Sequence, residues 1–202
     1  MSLVRRVVFL PGASGDPGFW RAAGDRLPAS WRKTYLAWPG LGHQSHDPTV
    51  MGMDDLVALA ETAIGDSSAI VAQSMGGIVA VRLALKSPEA VTHLVLAATS
   101  GGIDMSRFGA SDWRAEYRRE YPAASSWILD SRPDHTADLK RLRQPVLLLW
   151  GDNDPISPVA VGQYLATLLP RAALHVVAGG DHGLAQNRAA DVAPLIEKHL
   201  SA

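Results

Sequence analysis

Ala69-Ile70-Val71-Ala72-Gln73-Ser74-Met75-Gly76-Gly77 is the stretch on which the fold turns. Its first four residues are apolar, too few for a helix, and lack the polar alternation of a half-exposed strand, so they predict a strand buried on both faces. A serine and two glycines follow, then a helical run that ends near Ser87-Pro88. A serine on so tight a strand-to-helix turn sits in strained backbone that pushes its hydroxyl clear of the sheet. Small residues two before and two after it let strand and helix pass closely; here they are Ala72 and Gly76, alanine standing where the G-x-S-x-G pattern has glycine. The helix N-terminus behind Ser74 also offers free backbone N–H groups to an oxyanion. A plain helix cap with glycines placed for packing fits the same hexapeptide, so the rest of the chain must decide.

Five further runs share the character of the first: Val7–Leu10, Thr34–Trp38, Leu94–Ala98, Val146–Trp150 and Leu174–Val177. Segments punctuated as helices lie between them. Asp16-Pro17 supplies an N-cap and a first-turn proline before Phe19, Trp20 and Leu27. Asp54 and Asp55 open a segment with Leu56, Leu59, Ala60, Ala63 and Ile64 at helical spacing, stopped by Gly65. Ser157-Pro158 repeats the cap-plus-proline signal, and Asn187 is placed to cap a last helix in which Pro194 is expected to cause a kink or a late start. Six such strands alternating with helices predict an α/β fold, a doubly wound parallel sheet. Gly101 to Arg143 breaks the rhythm, 43 residues that hold Phe108, Trp113, Tyr117, Tyr121 and Trp127. Ser111 can cap a helix from Asp112 to about Tyr121, and Asp134 to Leu142 can form another. The chain therefore divides into a core, residues 1–100 and 144–202, and a small helical insertion with the crossover helix, residues 101–143.

Composition excludes several classes of function. The 202 residues carry 19 basic and 20 acidic side chains, a near balance that gives no electrostatic footprint for nucleic acid or an anionic membrane. With no cysteine there is no disulfide, thiolate metal site or thiol nucleophile. No apolar run approaches the ~20 residues of a membrane span. Arg5-Arg6 followed by Val7–Leu10 begins like a secretion signal but stops at Pro11, short of the ~7–15 residues of a signal core. A cytoplasmic location is the expectation.

Three loops bear on the serine. The first run ends in Pro11-Gly12-Ala13-Ser14-Gly15, able to aim a second N–H, that of Ala13, at the same point as the helix behind Ser74. The fifth run leads into Gly151-Asp152-Asn153-Asp154-Pro155, and the sixth into Gly179-Gly180-Asp181-His182-Gly183. Asp and Gly are ordinary turn residues, so each loop alone says little. Together they bring a serine, a carboxylate and an imidazole to one edge of a parallel sheet, the edge where open α/β folds bind ligands.

On these residues the chain resembles the α/β-hydrolases, in particular compact serine esterases such as carboxylesterases and the pimeloyl-carrier methyl esterases. The matching stretches are Pro11-Gly12, Pro39-Gly40-Leu41-Gly42-His43-Gln44-Ser45, the Ser74 turn, Trp150-Gly151-Asp152-Asn153-Asp154-Pro155 and the His182 loop. The resemblance implies a sheet ordered second-first-third-fourth-fifth-sixth, with the insertion as a cap over the site. It implies Ser74 as nucleophile, His182 as base and Asp154 as its partner, with the N–H groups of Met75 and Ala13 as the oxyanion hole. Family spacing favours Asp154 over its neighbour Asp152, and Asp104 is a further rival because some members carry the acid there. Two departures stand out. Only six residues precede the first run, where the family has an antiparallel strand pair, and Pro11-Gly12 replaces the frequent His-Gly.

Other residues read more plainly. Asp181 suits a hydrogen bond within its own turn, and His43 a turn-stabilising role. His46, His93, His135, His175 and His199 suit surface or packing positions. No histidines have metal-ligand spacing such as H-E-x-x-H, so no metal and no other cofactor is expected. Trp113 and Tyr117 are candidates to line an acyl pocket, although with Tyr121 they fall at i, i+4 and i+8, which one packed face also explains. Arg114, Arg118 and Arg119 could steer an acyl carrier protein, but Glu116 and Glu120 interleave with them as on a solvated face. The expected function is hydrolysis of a small-molecule carboxylic ester. A thioesterase, lactonase, C–C bond hydrolase or perhydrolase would use the same residues. From a different class, a non-catalytic ligand-binding relative would need none of the three. Oligomeric state is left open.

Overall fold

The computed structural model describes residues 5–202, so residues 1–4 of the 1–100 core segment lie outside the described part. Six strands, β1 (Arg6–Leu10), β2 (Arg32–Tyr35), β3 (Ser68–Gln73), β4 (Val91–Ala97), β5 (Val146–Gly151) and β6 (Ala172–Val177), form one sheet. Their order is β2-β1-β3-β4-β5-β6 and every neighbouring pair is parallel, as the sequence predicts. The helices are α1 (Arg21–Gly24), α2 (Met53–Ile64), α3 (Met75–Lys86), α4 (Arg114–Glu120), α5 (Trp127–Asp130), α6 (Thr136–Leu139), α7 (Val159–Leu168), α8 (Leu184–Asn187) and α9 (Ala189–Leu200).

Both faces of the central strands are apolar, and the two-residue period of a strand sorts them. Val8, Leu10, Ile70, Ala72, Leu94, Leu96, Leu148 and Trp150 pack on one side with α2, α3 and α7. Val7, Phe9, Ala69, Val71, Val95, Ala97, Leu147 and Leu149 pack on the other with α1, α8 and α9. Each fully buried Leu or Ile contributes about 1.5–3 kcal/mol relative to an exposed one, so the sheet makes a firm platform. No helix among the described residues is long and apolar enough to cross a membrane.

The edges depart from expectation. β2 ends at Tyr35 instead of Trp38, because it pairs only with β1, from Arg6↔Arg32 to Phe9↔Tyr35. Trp38 lies beyond the strand, where its indole N–H donates to the Pro11 carbonyl at 2.8 Å. β6, the other edge, leaves Val176 exposed, so its apolar run does not signal two-sided burial.

Four expected caps, Asp16, Ser157, Asn187 and Ser111, are also corrected. Asp16 takes the Gly18 N–H in a local turn, a bond that competes with helix, and α1 begins only at Arg21. Ser157 caps nothing; its hydroxyl is buried without a partner and its N–H goes to Asp154. Asn187 gives its amide to Asp181, and Arg188 stands at the start of α9. Pro194 lies inside α9, which continues from Ala189 to Leu200. Residues 101–143 carry α4, α5, α6 and a 3₁₀ turn at Ser106–Phe108. α4 starts at Arg114, whose N–H is taken by Asp112, while the Ser111 N–H donates to the Pro155 carbonyl at 2.7 Å. One more backbone bond fastens this stretch to the core, Ser125 N–H to Gly40 O at 2.8 Å, while His135 N–H to Gly102 O, also 2.8 Å, closes the stretch on itself.

Candidate active site

Ser74 stands between β3 and α3 with φ 52° and ψ −124°. An L-residue holds such a conformation only when its surroundings impose it, at about 1–3 kcal/mol. Here its N–H donates to Ala97 O at 2.9 Å, and its carbonyl accepts from Thr99 Oγ1 at 2.6 Å and Gly77 N at 2.9 Å. A Cβ on Gly76 would collide with the Pro11 carbonyl oxygen and lie 2.9 Å from that of Leu10. That is the local reason for a glycine two residues after the serine.

His182 arrives on the loop after β6. Its Nε2 is 3.1 Å from Ser74 Oγ and its Nδ1 is 2.8 Å from Asp154 Oδ2. Asp154 comes from the loop after β5, its side chain wholly buried, and Oδ1 accepts the N–H groups of Ile156 at 2.8 Å and Ser157 at 3.0 Å. A carboxylate only accepts, so the ring proton sits on Nδ1 and the Nε2 lone pair faces the Ser74 hydroxyl. Such an array can withdraw the serine's proton as the oxygen attacks an electrophile.

The rival carboxylates are engaged elsewhere. Asp152 Oδ1 accepts the Gly179 N–H. Asp104 is exposed and holds Ser106, and Asp181 holds the Gly183 N–H and the Asn187 amide. Among the described residues Asp154 is the only carboxylate hydrogen-bonded to the His182 ring.

Ser74 and His182 open into a cavity of about 800 Å³, within the range of small-molecule sites. Its apolar lining includes Phe19, Met53, Ile78, Ile103, Met105 and Trp113, half of them from residues 101–143. Ala13 and Met75 border it beside Ser74, and among the described residues neither backbone N–H has a protein partner. Tyr117 also borders the cavity, but its hydroxyl is taken up by backbone: it donates to Ala13 O at 2.7 Å and accepts from Gly42 N at 2.9 Å. Its ring packs against Trp113 and Tyr121, with centroids 5.5 and 4.9 Å away.

Two residues that sequence reasoning passed over support the site. Gln73 Nε2 donates to the His182 carbonyl at 3.1 Å, tying the serine turn to the histidine loop. The Thr99 hydroxyl holds the Ser74 carbonyl and takes the Gly101 N–H. Gln73 could have been found, since it is a polar residue closing an otherwise apolar buried run. Thr99 carries no comparable signal. His93 and His199 lie at the opposite edge of the sheet with rings 5.4 Å apart, and burial together with Arg5 pushes the His93 pKa down to about 4.

Comparison with known proteins bears on this arrangement. The family model described as "Alpha/beta hydrolase family" matches residues 7–134, and one described as "TAP-like protein" matches residues 113–201. A pimeloyl-(acyl-carrier protein) methyl ester esterase of Aromatoleum aromaticum is 29% identical, over 95% of this chain and 96% of its own. Another of that description, from Nitrosomonas europaea, is 26% identical over 83% of this chain and 84% of its own. Among solved structures, a thermophilic esterase from Thermogutta terrifontis superposes with a TM-score of 0.79 at 22% identity, over 98% of this chain and 89% of that one.

Proposed function

The chain belongs to the alpha/beta hydrolase family, and from that premise we propose that it is a serine hydrolase cleaving a carboxylic ester of a small or medium acyl group. The observation that carries the reading is His182 bridging Ser74 Oγ and the buried Asp154 carboxylate at the floor of an apolar cavity. Ser74 Oγ attacks the ester carbonyl carbon while its proton passes to His182 Nε2. The Asp154 carboxylate stabilises the imidazolium that results. The tetrahedral oxyanion is received by the N–H groups of Ala13 and Met75, each worth roughly 3–4 kcal/mol if well aimed. His182 then returns the proton to the departing alkoxide, and the alcohol leaves an acyl-Ser74 ester. Water, deprotonated by His182, attacks that ester; the acyl–Oγ bond breaks, His182 returns the proton to Ser74 Oγ and the carboxylic acid is released. Residues 101–143 serve as a cap that shapes the acyl pocket through Trp113 and the Tyr117 ring.

The relatives' names specify a carrier-bound ester. On this chain the basic face of α4 is already neutralised in part, Arg119 pairing with Glu116 and Arg114 with Asp112. That supports a free small-molecule ester over a carrier-bound one.

The experiment is labelling with a fluorophosphonate, read by intact mass and peptide mapping. One adduct on Ser74, absent in Ser74→Ala and lost in His182→Ala, is the expected result. No adduct in folded protein, together with equal turnover of 4-nitrophenyl butyrate by wild type and Ser74→Ala, would sink the reading in favour of a non-catalytic ligand-binding protein.

A further inference from the structure

The loop that carries the Ala13 N–H is fastened almost entirely from within the core. Trp20 Nε1 holds Leu10 O, Trp38 Nε1 holds Pro11 O, and Gly15 N holds Gly12 O. Gly15 O is taken by Trp38 N. The exception is Ala13 O, whose partner is the Tyr117 hydroxyl, on a helix of the 101–143 insertion and 104 residues away in the chain. The same hydroxyl takes the N–H of Gly42, on the loop after β2. That loop lies directly against the first, since a Cβ on Gly42 would run into the Ser14 carbonyl. One phenol, buried to 7% exposure, thus pins two core loops to α4.

We propose that Tyr117 is a positioning residue that makes the aim of the Ala13 N–H depend on the insertion being seated; this rests on the serine-hydrolase reading above. An oxyanion donor works only if it points to where charge develops, and that peptide's orientation is set by bonds at neighbouring atoms of the same turn. With Ala13 O released, its residue can rotate within the turn and its N–H swings off target. The Tyr117 hydroxyl itself never touches substrate, because both its donor and its acceptor positions are occupied by backbone. Its ring stays where it is when the hydroxyl is removed, held between Trp113 and Tyr121.

Tyr117→Phe isolates the hydroxyl. It is compared with wild type on a matched pair of substrates, a 4-nitrophenyl ester and its thionoester, in which sulfur replaces the carbonyl oxygen and fits the oxyanion donors poorly. The expected result is a fall in kcat for the ester of order 10- to 100-fold with KM within about threefold, and a much smaller fall for the thionoester, so that the ester-to-thionoester rate ratio collapses. Equal losses on both substrates, or no loss, would overturn the proposal by assigning Tyr117 a packing role alone.

A measurement on the wild-type protein needs no variant to fold. Coupling between the site and the clamp is reciprocal, so filling the oxyanion site with phenylboronic acid must favour the clamped state, in which the Tyr117 hydroxyl that donates to Ala13 O also holds the Gly42 N–H. Amide exchange at Gly42 slows on adding the boronic acid if the clamp operates, and unchanged exchange with the boronate bound to Ser74 overturns it. Ser74→Ala is assayed in parallel. Full activity in that variant removes the hydrolase reading itself, whereas an inactive Ser74→Ala beside an unchanged rate ratio in Tyr117→Phe removes only the clamp.

Discussion

Ser74 meets two opposed demands: a hydroxyl thrust clear of the sheet, and a backbone that must be bent into a glycine-like conformation to put it there. The strain belongs to the backbone, so it persists in Ser74→Ala and is relieved in Ser74→Gly. Both variants should be inactive, yet the glycine variant should be about 1–2 kcal/mol more stable than the alanine variant in urea unfolding, after allowing for glycine's freer unfolded chain. The acid can be tested at the same scale. Asp154→Asn should lower kcat about 10⁴-fold by upsetting the imidazole tautomer. Asp152→Asn, which alters only an exposed bond from the β5 loop to Gly179 on the β6 loop, should change kcat less than about threefold and cost roughly 1 kcal/mol of stability. Ser74, His182 and both aspartates were legible in the sequence because each punctuates the end of an apolar run. Choosing Asp154 over Asp152 required family spacing; the two backbone donors at Asp154 Oδ1 are invisible in a turn rich in Asp.

At the scale of elements, the interior strands were readable and the helix starts were not. β3 and β5 are buried throughout, so their composition reports their environment directly. At helix starts, by contrast, Asp16, Ser157 and Asn187 each have the chemistry of a cap, and each spends its polar atoms differently: on a local turn, on nothing, and on a neighbouring loop. A short polar side chain has several partners within reach, and tertiary contacts decide among them. α9 shows the same override on a larger scale. Val192, Ala193, Ile196 and Leu200 are buried against the sheet and hold Pro194 within a helix that proline disfavours. Pro194→Ala restores an N–H to that helix, and should raise stability by about 1–2 kcal/mol with activity unchanged, measured as an upward shift in Tm.

At the scale of the whole molecule, part of the expected response to acid comes from groups far from the proposed chemistry: burial lowers the pKa values of His93, His135 and His199, and His93 is the largest case. His93 carries a folded-state pKa of about 4 against an ordinary 6.5, because burial and the nearby Arg5 disfavour its charged form. The unfolded chain therefore binds a proton below pH 6.5 that the folded chain refuses until about pH 4. The contribution of His93 to stability is complete above that window, falls as pH drops through it and levels off beneath it. Because His93 is only partly buried, the loss should be screened to about 1 kcal/mol. His93→Gln should flatten the difference in urea midpoint between pH 7 and pH 4.5; an unchanged difference would assign the acid sensitivity to other groups.

Residues 101–143, which help line the cavity, are sewn to the rest of the chain by two backbone bonds, Ser111 to Pro155 and Ser125 to Gly40, and by the Tyr117 hydroxyl on Ala13 and Gly42. Under the proposal that this stretch roofs the site, a roof so stitched would act as a sieve of fixed mesh more than as a door. If the proposed ester chemistry runs beneath such a roof, and the alcohol leaves by the way the water enters, turnover proceeds as a queue. Bulk on the alcohol side of an ester then delays the step in which that alcohol no longer takes part.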